Sequence, residues 1–321
     1  MRLAALACYV PEQRIDAEKI ICSAGGGRGE ARIFTKLFGI EQIAAADPDD
    51  SLEEWFSPTL HRIAGSAQVQ SADTLIYVHG VPIQHESTRS LLRALCQSHN
   101  LLANVRLVYE IDQNNCAGLF WGIQMARNLL SADLARCVAI LAGDSLSKLP
   151  LSHRYVPGCT LIGDAFATFL LDKHSGGLQI GEIVLTHRSE FAFGLYGSEL
   201  EMGRFYRAHD EMVSAALDAV GYPLNGNEEL LPHNVNKLIW MQFCRRRGVA
   251  LDRIRLDLMP CIGHCYTVDP MLLLERLLTD GRPAAESVTL LSTGLGAYTG
   301  ACRIHFLGRD FHAHCRHSHL D

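Results

Sequence analysis

The chain has 321 residues, 48% of them hydrophobic, with 29 Lys and Arg against 35 Asp and Glu for a formal net charge of −6. That apolar content excludes a disordered chain and a small cross-linked scaffold. The acidic balance excludes a broad nucleic-acid footprint, since the densest basic run, Arg245-Arg246-Arg247, is expected to close a helix, where cations meet the negative end of the dipole.

In chain order, residues 3–10 read as a strand stopped by Pro11-Glu12. The stretch up to Cys8 is too short for a signal sequence, which needs an apolar core of about 7–15 residues. Helices are predicted over 29–38 and 48–66; in the second, Asp50 and Ser51 can cap, and Leu52, Trp55, Phe56 and Leu60 recur at helical spacing. Thr74 to Gly80 is a strand, 87–99 a helix, 106–111 a strand and 116–130 a strong helix. Cys137 to Ala142 and Leu161 to Leu171 are buried strands. A second pass follows: a strand over 178–186, helices over 203–220 and 236–247, a strand from Leu256 to Met259 and a helix over 270–279. Strands over 287–291 and 301–306 flank a glycine-rich turn. Alternating strands and helices predict an α/β fold, and the two passes suggest a duplicated unit with its seam near 172–178. Eleven scattered cysteines do not form a disulfide framework and are read as reduced thiols of a cytoplasmic protein. No apolar run approaches the roughly 18 residues of a membrane span. The tail, 309–321, carries His312, His314, His317 and His319; a solvated, disordered terminus is preferred to a metal site.

Four places carry candidate chemistry. Cys116, in Asn114-Asn115-Cys116-Ala117-Gly118, falls where a strand gives way to a helix, and unpaired N–H groups there favour a thiolate. The alternative is a small buried hydrophobe. His233, in Pro232-His233-Asn234-Val235-Asn236, lies in a turn before a helix that Asn236 can cap. His264, in Gly263-His264-Cys265, precedes a helix beginning near Asp269. Asp269 could orient His264, but capping that helix is the preferred reading. Cys261, His264 and Cys265 lack a second pair at zinc-like spacing, so no metal is expected. The loop 292–300 offers Gly294 and Gly296 for close backbone approach and an oxyanion hole. It does not fit a dinucleotide fingerprint.

The order of these motifs resembles β-ketoacyl-ACP synthase III and its relatives in the thiolase-like superfamily. Pro232-His233-Asn234-Val235-Asn236 resembles that family's P-H-x-x-N motif, Gly163-Asp164-Ala165 its G-D strand, and Asn115-Cys116-Ala117-Gly118 its nucleophile turn. Gly294 to Ala301 is similar to its closing glycine loop. The likeness spans about residues 2–307. It implies a five-layered αβαβα fold of two pseudo-symmetric halves, 1–172 and 173–308, in a homodimer or in a heterodimer with a related subunit. It also implies an acyl group carried on Cys116 as a thioester, with His233 and His264 beside it. Where the family has asparagine after glycine, this chain has His264. A neutral histidine can donate as asparagine does, and it can also take a proton.

The resemblance therefore implies an acyl-transferring condensing enzyme of specialised metabolism that joins the acyl group to a malonyl-type or β-ketoacyl partner with C–C bond formation. Acyl transfer to an alcohol or amine is the first alternative, and a non-catalytic partner subunit the second. Substrates are expected as acyl carrier protein or coenzyme A thioesters, with no other cofactor and no nucleic-acid or membrane partner. Glu41, where relatives using coenzyme A often carry arginine, favours the carrier protein. Phe120 and Trp121, one turn beyond Cys116, are expected either to line an acyl pocket or to belong to the core.

Overall fold

The computed structural model describes all residues except 66–69, 82–87, 175, 177, 195, 196, 282–284 and 308–321. The histidine-rich tail thus lies outside the described residues. The first half runs β1 (Arg2–Tyr9), β2 (Gln13–Asp16), α1 (Ala17–Ser23), α2 (Arg28–Phe38), β3 (Gln42–Ala45), α3 (Leu52–Ala64), β4 (Thr74–Val78), α4 (Thr88–Ser98), β5 (Leu107–Ile111), α5 (Gly118–Ser131), β6 (Cys137–Asp144), β7 (Tyr155–Val156), β8 (Thr160–Leu161) and β9 (Ala165–Asp172). There follow β10 (Leu178–His187), α6 (Glu199–Val220), β11 (Leu230–Pro232), α7 (Lys237–Arg247), α8 (Met259–Ile262), α9 (Asp269–Asp280), β12 (Ser287–Gly294) and β13 (Tyr298–His305).

Among the described residues the main strands pair in the order β11-β12-β13-β10-β1-β9-β6-β4-β5. The join between β1 and β10 is narrow, with only Arg2 opposite Gln179 and Leu3 opposite Leu178. Side chains alternate across the central strands, as the period of two requires. On β6, Val138, Ile140 and Ala142 enter one core, and Cys137, Ala139 and Leu141 the other. The first core also takes Leu119, Phe120 and Ile123 of α5, Leu272 and Leu273 of α9, and Leu290 and Cys302 from β12 and β13. Helices α5 and α9 are therefore sandwiched between the two wings of the sheet. On the outer side of the first wing, Phe56 and Leu60 of α3 and Leu92 and Leu95 of α4 cover β4, β6 and β9. On the outer side of the second, Val213 and Leu217 of α6 and Trp240 and Phe243 of α7 cover β11 to β13. Helix, sheet, helix, sheet and helix are thus stacked as the sequence resemblance implied. Strands buried on both faces explain why β4, β6 and β9 read as near-continuous apolar runs.

Local chemistry sets the ends. Ser51 and Glu54 form a reciprocal capping box on α3, and Ser198 and Glu201 do the same on α6. Helix α7 ends with Arg245, Arg246 and Arg247, with Gly248 left-handed just beyond. Two expectations change. The predicted strand from Leu256 to Met259 does not form; the chain makes the single turn α8 there, with Pro260 in its first turn, where its missing N–H costs nothing. The strand predicted over 161–171 is broken at 162–164. Here Asp164 turns inward, pairs with Arg154 through two bonds of 2.8 and 2.7 Å, and accepts from the N–H groups of Ala46 and Leu146. Among the described residues no helix is long and apolar enough to cross a membrane.

The Arg154–Asp164 pair is fully buried and ties three loops together. Arg154→Met, which leaves the Asp164 charge without its partner, is expected to lower unfolding free energy by about 3–5 kcal/mol in a denaturant titration.

Candidate active site

Strand β5 delivers the chain to a tight turn before α5. Asn115 sits at φ +48°, a left-handed conformation that asparagine tolerates better than most residues. Asn115 to Ala117 make one 3₁₀ turn, and α5 follows from Gly118. Cys116 is buried at this bend. The end of β12 abuts it so closely that a Cβ at Gly294 would lie 2.9 Å from Cys116 N and 3.0 Å from Asn114 O. Only glycine fits there. The Asn115 side-chain oxygen accepts from Leu295 N at 3.3 Å, fastening the glycine loop to the turn, and lies 2.9 Å from Cys116 Sγ.

His264 is placed by a backbone crossing. Its N–H donates to Leu161 O at 2.9 Å, and its carbonyl accepts from Gly163 N at 3.0 Å. A Cβ on Gly163 would stand 2.0 Å from Ile262 O, so the two glycine-led segments can approach only because one lacks a side chain. The ring spans two partners: Nε2 lies 3.0 Å from Cys116 Sγ, and Nδ1 lies 2.5 Å from Asp269 Oδ2. Burial alone would push the imidazole's pKa down. The facing sulfur and the Asp269 carboxylate outweigh it and hold the ring well above the ordinary histidine range.

The capping role preferred for Asp269 is corrected by this geometry. Helix α9 starts at Asp269 itself, and the carboxylate turns back from the helix. It accepts from Asn234 N at 2.6 Å and Cys265 N at 2.8 Å as well as from His264. It orients the histidine, the reading that sequence set second.

His233 follows the short strand β11, which pairs in parallel with β12 and ends at Pro232. Its N–H donates to Leu291 O, and its carbonyl accepts from the Trp240 indole. The ring centroid is 6.2 Å from that of His264. Its Nε2 faces a residue that sequence reasoning did not single out: His209 Nε2 on α6, 3.1 Å away. Burial, with the neighbouring His209 and His264 charges, pushes His233 well below the ordinary range. Burial, with the Arg246 charge, pushes His209 down to about 4. The available signal was that His209 lies on the buried stripe of α6 with Phe205, Met212 and Val213.

Cys116, His233, His264 and His209 share one cavity of about 40 Å³, which is room for about three waters. Phe205 and Tyr206 from α6 are also in its wall. Asn236 caps α7 as expected, accepting from Ile239 N, and its amide donates to Cys159 O at the cavity rim. Gly296 opens instead on a neighbouring surface hollow with Phe193 and Met202. Phe120 and Trp121 do not line the cavity. Phe120 is fully buried under β13, where a Cβ on Gly300 would strike it at 2.5 Å, and Trp121 packs edge-on against Tyr298. Among the described residues no group of His, Cys, Asp and Glu side chains is arranged to hold a metal ion.

No protein-family model matches the chain. It is 24% identical over 324 residues to a β-ketoacyl-[acyl-carrier-protein] synthase III of Halalkalibacterium halodurans, covering 92% of this chain and 93% of that protein. Among solved structures it is similar to the synthase III of Thermus thermophilus, with 19% identity, a TM-score of 0.75 and coverage of 96% and 100%. It is also similar to the acyltransferase ChlB3, with 18% identity, a TM-score of 0.78 and coverage of 95% and 97%. The chain has the fold of the thiolase-like condensing-enzyme superfamily.

Replacing Asp269 by Asn removes a negative charge from His264. The imidazolium becomes less favourable, so the ring draws a proton from its Cys116 partner less readily. Iodoacetamide labelling of Cys116 at pH 7, read by peptide mass spectrometry apart from exposed Cys22 and Cys261, is expected to slow by about tenfold or more.

Proposed function

We propose that this protein is an acyltransferase that holds an acyl group on Cys116 as a thioester and passes it to a hydroxyl or amine acceptor, with His264 as the proton carrier. The observation that supports this reading is the unbroken chain Cys116 Sγ–His264 Nε2 and His264 Nδ1–Asp269 Oδ2, at 3.0 and 2.5 Å. A carboxylate behind an imidazole fixes its tautomer and stabilises its charged form, which suits a group that takes and returns a proton.

In the loading half-reaction the Cys116 thiolate attacks the acyl thioester, the bond from the acyl carbon to the departing sulfur breaks, and His264 Nε2–H protonates that sulfur. The ring is then neutral, with a lone pair on Nε2. In the transfer half-reaction that lone pair takes the proton of the acceptor as its oxygen or nitrogen attacks the Cys116 thioester. The C–S bond breaks and the thiolate faces the imidazolium again. In this reading the Cys116 N–H, in the turn packed on Gly294, donates to the carbonyl oxygen, a contact typically worth about 3 kcal/mol in the transition state.

The relatives named as synthases favour a second reading, decarboxylative C–C bond formation with a malonyl-type partner. That chemistry asks both histidines to donate to one developing enolate. Here the Nε2 of His233 is turned to His209 and that of His264 to the sulfur, which favours the acyltransferase reading. The acyl donor is proposed to be a carrier-protein or coenzyme A thioester. Strand β5 is the outer strand of the sheet and exposes Leu107 and Val108, which supports pairing with a second copy.

Intact-protein mass spectrometry with a panel of acyl thioesters tests the reading. Wild type is expected to gain one acyl mass and Cys116→Ala none. His264→Asn keeps a donor but cannot carry a proton, so its transfer rate is expected to fall by about a hundredfold, as far as that of His264→Ala. Retention of most activity by His264→Asn, or CO2 release with a malonyl thioester, would establish the condensing reaction instead.

A further inference from the structure

The cavity has two unlike walls. On one, His264 is bonded to sulfur and carboxylate, which favour its charged form. On the other stand two imidazoles, His209 from α6 and His233 from the turn after β11, bonded Nε2 to Nε2 at 3.1 Å. Such a contact requires one ring to present N–H and the other a lone pair. Two imidazolium rings would face each other proton to proton. Both rings are at least 95% buried, and the adjoining side chains Val235, Ile239, Phe205 and Leu295 are apolar. His233 Nδ1 is buried without a hydrogen-bond partner among the described residues, so this ring has bonding capacity to spare. Among the described residues no carboxylate, lysine or arginine side chain lines the cavity.

We propose that the His209–His233 imidazole pair is the acceptor-recognition element of the cavity, with His209 the positioning residue that fixes the His233 ring, and that the acceptor it takes is an uncharged alcohol. This rests on the acyltransferase reading and narrows it. An alkylammonium, or the carboxylate of a malonyl unit, would enter a wall that offers no opposite charge, and desolvation would oppose it. A hydroxyl can accept from or donate to a neutral imidazole and still give its proton to His264. Burial keeps both rings of the pair in the neutral form that this requires.

The test separates the two half-reactions in the intact protein. S-acetyl-N-acetylcysteamine is the donor; 1-butanol, butylamine and malonyl-N-acetylcysteamine are the acceptors at pH 7. Intact mass follows loading of Cys116 and decay of the acyl-enzyme, and released CO2 is measured alongside. Wild type is expected to discharge to 1-butanol at least about tenfold faster than to butylamine. His209→Phe keeps a ring of similar size. It is expected to lower loading by less than about threefold and transfer to 1-butanol by at least about thirtyfold, because the His233 ring loses its partner. His209→Gln, whose side-chain NH2 can restore an N–H facing His233, is expected to recover transfer to within about fivefold of wild type.

Equal losses in loading and transfer for His209→Phe, or a Gln variant no better than Phe, would overturn the positioning role. A wild-type preference for butylamine would overturn the alcohol assignment while leaving acyl transfer intact. Failure of the wild type to load, or CO2 release from the malonyl thioester, would instead overturn the acyltransferase reading on which the proposal rests.

Discussion

One buried carboxylate organises this site. Asp269 is fully shielded from solvent and joins two segments through three groups: the turn after β11 through Asn234 N, and the loop before α9 through Cys265 N and the His264 ring. An unpaired carboxylate in such a place would be expensive, and no lysine or arginine is bonded to it among the described residues. The carboxylate holds the His264 ring well above the ordinary histidine range, which favours the imidazolium as its counter-charge. The same interaction that makes the carboxylate tolerable therefore sets the protonation of the ring beside Cys116. Stability and reactivity are written into one set of hydrogen bonds.

The opposite wall follows the contrary rule. His209 and His233 are as deeply buried as His264, yet among the described residues no carboxylate bonds to either, and burial drives both toward the neutral form. The contrast between three histidines in one cavity comes from what stands behind each ring. This is how environments push like groups to unlike protonation states, and it divides the cavity into a charged wall at the sulfur and an uncharged wall across from it.

Much of the fold was legible because buried strands and amphipathic helices announce themselves by period. The turn at Cys116 was legible because a strand ended, a helix began, and Ala117 and Gly118 left room. Some of the less legible parts depend on pairs far apart in sequence, others on a local choice between two uses of one residue. The His209–His233 contact joins residues 24 apart on different elements, and nothing local to α6 signals it beyond a polar residue on a buried stripe. Asp269 stands at a helix start, where capping is the commoner use of an aspartate. Only the crossing of the 161–163 and 262–264 segments shows its carboxylate facing His264. The expected strand over 256–259 does not form, because Pro260 favours a single helical turn there. Phe120 lies near Cys116 in sequence, but the sulfur sits in a 3₁₀ turn before α5. The phenyl ring projects from the helix into the space left by Gly300.

The comparisons show a fold shared at low identity, and a fold does not by itself choose a reaction. What the architecture supplies is three anchor points: the bend after β5, the turn after β11 and the loop before α9, brought together where the two wings of the sheet meet their shared helices. The reaction depends on the groups placed at those points. An amide beside the sulfur could donate a hydrogen bond but could not accept the proton of an attacking hydroxyl. An imidazole backed by a carboxylate can do both in turn. His264 has this double capacity with Asp269 behind it, and Asp269 is itself held by Asn234 N and Cys265 N.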